Sequence, residues 1–154
     1  MSIFKGLSVE DNLLSIIETK EFDNHKRYQI LEDLLVEFNI TKIRSSLGIT
    51  LSGGERRRVE IARCIASNPT HILLDEPFSG IDPIAIQDLK ILITYLKQRK
   101  IGILITDHNV KDTLDIVDRA YVLYDGKILL KGNPFEIKND QKVKSVYLGK
   151  SLSV

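Results

Sequence analysis

Between Leu51 and Arg63 the chain reads LSGGERRRVEIAR, a glycine pair running directly into a strongly helical segment. Ser52 is a good N-cap, because a short hydroxyl side chain can accept a free N–H of the first turn. Gly53 and Gly54 leave the backbone amides behind it uncovered. Those amides, with the positive end of the helix dipole, make an anion site for which phosphate is the obvious candidate. A plain turn before a helix would read the same way, so the rest of the chain has to separate the two. Asn68-Pro69 stops the helix near Ser67, because a residue before proline is pushed out of helical geometry.

That helix closes a helical front. Ser8 caps a first helix with Asp11 three residues on, and Leu13, Ile16 and Ile17 form its apolar stripe. A charged break runs from Lys20 to Lys26. Tyr28, Leu31, Leu34, Leu35 and Phe38 then recur at helical spacing, and Asn39 can close that helix. From Pro69 the texture alternates. His71 to Asp75 is a short apolar run ending in acid, which suits a buried parallel strand. Asp82-Pro83 starts a helix whose buried face is Leu89, Leu92, Ile93 and Leu96. Ile101 to Thr106 is a second apolar run, and Val110, Leu114 and Val117 mark a further helix. Asp125-Gly126, between Ala120–Tyr124 and Lys127–Leu130, is a strong two-residue hairpin signal. Short helices and a loose tail are expected from Pro134. The resulting division is a helical segment over 1–67 and an α/β segment over 68–154.

Bulk properties bound the function. A chain of 154 residues is long enough for one domain with a real core. A net charge of +1 gives no global attraction to nucleic acid or acidic lipid, and no aromatic stacking platform is evident, so no nucleic-acid partner is expected. The single cysteine, Cys64, cannot form an internal disulfide and reads as small core filler on the helix after the glycines. No apolar run approaches membrane-spanning length, and MSIFKGLSVEDN lacks the long apolar core of a secretory signal. A cytoplasmic location is therefore expected.

The chemistry gathers around two acids. Asp75 and Glu76 stand at the C-terminal end of the first strand, the edge at which open α/β sheets collect ligands. Asp75 could hold Mg²⁺ directly or through water, since that ion takes few carboxylates and keeps several waters. Glu76 is expected on the neighbouring face, where it could orient an attacking water as general base. Two solvated acids at a strand end are the plainer alternative. If the two strands are neighbours, His108 emerges at the same sheet edge and could contact a terminal phosphate. A lone histidine after a strand is otherwise a surface or capping residue. Helix capping alone is enough to explain Asp82. Arg56, Arg57 and Arg58 spread around their helix instead of forming one basic face, so a mostly solvated role is expected, with one arginine adding phosphate affinity.

In order along the chain, LSGGE, ILLDEP, SGIDP and ITDHN resemble the signature motif, Walker B strand, D-loop and H-loop of the ATPase subunits of ABC transporters. The resemblance covers essentially the whole chain. It implies ATP and Mg²⁺ as cofactors. It also implies an α/β architecture, a partial ABC-type P-loop NTPase fold: a helical subdomain, then a mainly parallel sheet with flanking helices and a C-terminal hairpin. By the same resemblance, Ser52, Gly53 and Gly54 match the residues that hold the γ-phosphate of an ATP bound on the opposite subunit. Asp75 matches the Mg²⁺-associated acid, Glu76 the general base, His108 the γ-phosphate histidine and Asp82 the D-loop acid at the dimer seam. The implied partners are integral membrane transporter subunits and a second ATPase subunit, with the chain peripheral on the inner face of the cell membrane. Within the family, LSGGERRRVEIAR, LLDEPFSGIDPI, ITDHNVKDTL and the ending VYLGKSL are similar to the ATPases of lipopolysaccharide export. The branched-chain amino-acid importer ATPases are the alternative.

The phosphate-loop pattern, Gly, four residues, Gly-Lys, then Ser or Thr, is not found in this sequence. Its nearest match runs from Gly48 to Gly53, with Gly54 where the lysine should stand. The family's Q-loop glutamine is also missing, because SIFKGLSVEDN resembles the segment that follows it. These absences imply negligible ATPase activity for the chain alone and an apolar sheet edge left open. They leave two readings: part of an enzyme, whose phosphate loop could stand on a separate fragment, or a non-catalytic docking module.

Overall fold

Side-chain caps set where the helices begin. The computed structural model describes residues 3–146, so the loose tail and all of VYLGKSL after Val146 lie outside the described residues. These residues form two compact units, one up to Thr106 and one from Asp107.

In the first unit, α1 (Val9–Ile17) is capped by the Ser8 hydroxyl, which accepts from Asp11 N–H at 3.0 Å. The next helix, α2 (Asn24–Glu37), starts inside the expected charged break, because Asp23 accepts from Lys26 N–H at 3.0 Å and caps it there. Its end is a Schellman closure. Asn39 adopts φ 52°, its N–H reaches Val36 O at 3.0 Å, and Ile40 N–H reaches Leu35 O at 2.9 Å. Val9, Leu13, Leu31 and Leu35 are completely buried. Tyr28, expected on the apolar stripe, is 56% exposed and belongs to the outer face. Arg44 ties the two helices together, with Nη2 2.7 Å from Glu10 and 2.9 Å from Glu32. The α3 helix (Gly53–Ile65) contributes Val59, Ile61 and Ala62 to the buried residues.

The strand β1 (His71–Asp75), helix α4 (Pro83–Gln98) and strand β2 (Gly102–Thr106) follow as one parallel crossover unit. The register runs from His71 opposite Gly102 to Asp75 opposite Thr106. Ile72 and Leu74 are buried, as are Leu89, Ile93 and Leu96 of α4, whereas Leu92 is only half-buried. β1 is thus buried on one face and not on both as expected. Period-two alternation puts Leu73 and its partner Leu104 on the other face, where they are 74% and 59% exposed.

In the second unit, α5 (Val110–Leu114) precedes the antiparallel pair β3 (Ala120–Tyr124) and β4 (Lys127–Gly132). Asp125 at φ 48° and Gly126 at φ 70° make the expected two-residue turn, whose two positive φ angles match the right-handed twist of the strands. Helices α6 (Pro134–Asn139) and α7 (Gln141–Val146) complete this unit. Its core is Leu114, Ile137 and Val143, with Val110, Val117, Val122 and Leu130 packed against them.

Candidate functional site

The diglycine turn is built as a helix start that already holds one carboxylate. Ser52 accepts Glu55 N–H at 3.3 Å, and Glu55 Oε2 accepts both the Ser52 N–H, at 2.9 Å, and the Ser52 hydroxyl, at 2.7 Å. This capping box satisfies two otherwise unpaired donors. Ser52 is the expected N-cap, and its hydroxyl proton is given to Glu55. Gly53 remains exposed, and the N–H groups of Gly53 and Gly54 are ones the helix ladder does not use.

Glu55 is held below the ordinary carboxylate range, chiefly by the Ser52 hydroxyl, then by the Ser52 N–H and the nearby Arg58 charge, against partial burial. The folded chain binds fewer protons here than the unfolded chain. The stabilisation is therefore complete above the ordinary carboxyl pKa and is lost as pH falls through the depressed value. Ser52→Ala is expected to cost about 1 kcal/mol in urea unfolding at neutral pH. The variant should also lose less stability on acidification than the parent chain. Equal losses on acidification would refute the assignment to this cap.

Both glycines are required by what lies beside them. A Cβ at Gly53 would stand 3.1 Å from Ile81 Cγ2 and 3.2 Å from the Gly80 carbonyl oxygen. At Gly54 it would stand 2.9 Å from Ala85 Cβ. The start of α3 thus lies against the turn that leads into α4. In that turn Asp82 is the helix cap, accepting Ala85 N–H at 2.9 Å, with Pro83 at the first helical position.

At the end of β1, Asp75 is exposed and its Oδ1 accepts a hydrogen bond from the Thr106 hydroxyl. Glu76 follows with φ 43°, a left-handed conformation that costs a residue with a Cβ about 1–2 kcal/mol. Three hydrogen bonds hold that backbone. Its N–H donates to Thr106 O at 2.7 Å, and its carbonyl accepts from Ser79 N–H and from Arg57 Nη2, each at 3.1 Å. Arg57 comes from α3, so the helix that begins at the diglycine is tied to the acid turn by a side chain.

The three arginines are not mainly solvated, which corrects the sequence expectation. Arg57 also pairs with Glu60 at 2.9 Å, Arg58 pairs with Asp88, and Arg56 reaches Leu51 O at 3.4 Å. Cys64 is half-buried, and burial pushes its thiol pKa up. His108 belongs to the second unit, is exposed, and has Nδ1 3.8 Å from Asp107 Oδ1. The strand pairing assumed for it is present, with Thr106 opposite Asp75. Sequence reasoning gave Arg57 a solvated role and Thr106 none. Thr106 was legible as the strand-end partner of Asp75 once the register was known; no local pattern marks Arg57.

Among the described residues no group of three or more His, Cys, Asp or Glu side chains is poised to hold a metal ion. The Asp75 carboxylate beside the Thr106 hydroxyl nonetheless offers hard oxygen donors from an exposed position. That fits an ion such as Mg²⁺, which takes few protein ligands and keeps its waters. No helix among the described residues is long and apolar enough to cross a membrane.

A helical segment with a diglycine N-terminus, followed by a parallel strand pair ending in adjacent acids, is the arrangement of an ATP-binding cassette. The fold is similar to the crystal structure of the ADP conformation of MJ1267, an ATP-binding cassette of an ABC transporter, with a TM-score of 0.78 and 27% identity over 95% of this chain and 64% of that one. Residues 1–79 match the family model described as ABC transporter, and the chain belongs to that family. It is 51% identical to the lipopolysaccharide export system ATP-binding protein LptB of Haemophilus influenzae, over 99% of this chain and 64% of that protein. It is 53% identical to a probable ABC transporter ATP-binding protein of Azorhizobium caulinodans, over 96% of this chain and 53% of the relative. The chain thus spans between 53% and 64% of the length of these relatives.

Proposed function

We propose that this chain is the signature and Walker B part of an ATP-hydrolysing ABC transporter subunit, serving lipopolysaccharide export. The observation that carries the reading is the Arg57 link, which holds the diglycine helix and the Asp75-Glu76 turn together. The match to 64% of the length of LptB of Haemophilus influenzae supports the transported class.

In this reading Gly53 and Gly54 offer backbone N–H groups to the terminal phosphate of an ATP held by a second subunit. Ser52 joins them when its hydroxyl turns from Glu55 toward that phosphate. Asp75 would hold Mg²⁺, which neutralises phosphate charge when bound. Glu76 takes a proton from the attacking water, His108 faces the γ-phosphate, and Asp82 lies at the seam between subunits. The proposed partners are membrane transporter subunits and a second ATPase subunit, with the complex on the inner face of the membrane. The boundary near residue 67 then separates the helical part, which meets the membrane partner and ends in the diglycine helix, from the α/β part that carries Asp75, Glu76 and His108. A docking module without catalysis is a second reading, favoured by the helical front of α1 and α2, which builds its own buried core from Val9, Leu13, Leu31 and Leu35 and which the family resemblance turns toward the membrane subunit.

The test uses this chain with a recombinant phosphate-loop segment from the Haemophilus influenzae relative. Saturable binding of a fluorescent Mg·ATP analogue is expected for the mixture. Ser52→Arg, which crowds the turn, is expected to weaken it at least about tenfold, the loss of a charge-assisted contact. Unchanged affinity in Ser52→Arg would refute the assignment of the turn. A hybrid of the two segments should also sustain lipopolysaccharide export in Haemophilus influenzae cells depleted of LptB; failure there, with nucleotide binding intact, would refute the transported class.

A further inference from the structure

Glu76 keeps a left-handed backbone although it is neither glycine nor asparagine. Such a conformation persists only where surrounding contacts over-determine it. Two of its three backbone bonds come from the local turn and β2, the Ser79 N–H to its carbonyl and its own N–H to Thr106 O. The third comes from the side chain of Arg57, 19 residues away in sequence. The arginine is itself fixed. Its Nη1 is 2.9 Å from Glu60 one turn further along α3, and both side chains are largely covered. One edge of the guanidinium is anchored on the helix, and the other spans to the acid turn. A lysine ammonium is a single point donor without this fork.

We propose that Arg57 is a positioning residue that locks Glu76 in its left-handed conformation and couples the aim of its carboxylate to the placement of α3. The inference rests on the reading of Glu76 as the general base. An i,i+3 ion pair on a helix surface would be worth little by itself. The bond to the Glu76 carbonyl leaves the helix, and helix stability does not call for it. A shift of α3 caused by an anion at Gly53 and Gly54 has a direct side-chain route to Glu76 through Arg57.

The experiment follows Glu76 in the isotope-labelled 154-residue chain by its Cα and Cβ chemical shifts and its intraresidue HN–Hα NOE, which is strong only at positive φ. In Arg57→Met the left-handed signature is expected to fall to less than about half its population while α3 shifts stay helical, because the strained state loses its external bond. Arg57→Lys should lose it as well, and is the variant to use if the methionine form does not fold. Glu76→Asn in the Arg57→Met background should restore the signature, because asparagine tolerates this region. Glu60→Gln leaves Arg57 in place and should keep more of the signature than Arg57→Met. A left-handed Glu76 that survives both Arg57 substitutions overturns the tether and leaves the nucleotide reading standing. Loss of the signature, with no Mg·ATP binding in the mixture described above, overturns the nucleotide reading and leaves the tether standing.

Discussion

Purified as these 154 residues, the chain is expected to turn over Mg·ATP at no more than about a thousandth of the rate it reaches with a phosphate-loop segment supplied. The reason is electrostatic. Phosphoryl transfer leaves little covalent work to the protein, so positioning and charge stabilisation carry the rate. Asp75, Glu76 and the amides of Gly53 and Gly54 can meet an ion, a water and one terminal phosphate. None of them replaces the nest of amides and the lysine that fix the β- and γ-phosphates. Removing a single preorganised donor commonly costs about 10²–10³ in rate, and here several are involved. Glu76→Gln in the mixture should bring turnover back to the level of the chain alone. Steady-state phosphate release measures both. Equal rates for chain and mixture, or full activity in Glu76→Gln, would refute the assignment.

The second large effect is mechanical. Gly54→Val is expected to destabilise the chain by about 2–3 kcal/mol, the usual cost of forcing extra carbon into a filled contact. A Cβ there would stand 2.9 Å from Ala85 Cβ, well inside the about 3.5–4.0 Å at which carbon atoms attract. Ala85→Gly removes the atom that clashes. The double variant should therefore recover most of the loss, apart from the roughly 1 kcal/mol that glycine costs inside a helix. Urea titrations of the two single variants and the double variant close this cycle. Strictly additive effects would show that the start of α3 and the first turn of α4 are not in contact at this point. Because total stabilities of small domains are about 5–15 kcal/mol, the expected shift is readily resolved.

What the sequence revealed and what it withheld divide along the range of the interactions. Ser8, Ser52, Asp82 and Asn39 were legible as helix ends because each acts on amides within a few residues of itself. Asp125-Gly126 was legible because only residues that tolerate positive φ fit that turn. The four motifs placed the acids at the end of β1 and the diglycine at the start of α3. Contacts made across the fold left no such trace. Nothing local marks Arg57 as the donor to Glu76, and a triple-arginine run on a helix looks solvated until its partners are in place. The α2 helix began earlier than expected because Asp23 caps it, and a charged stretch hides a cap as easily as it marks a break. Apolar content in β1 was read as burial on both faces, but composition cannot say how many faces are covered. The same limit applies to Tyr28, whose spacing fits the α2 stripe while its ring faces outward.

The outward pair Leu73 and Leu104 carries a consequence for the life of the polypeptide in a cell. Greasy surface of this kind on a freshly made chain attracts chaperones and quality-control proteases, which clear whatever remains unsheltered. Whatever surface packs over those two leucines in the working subunit, within the same polypeptide or beside it, would set how long each molecule survives, and a substitution that loosened that packing would shorten its life before it touched its chemistry.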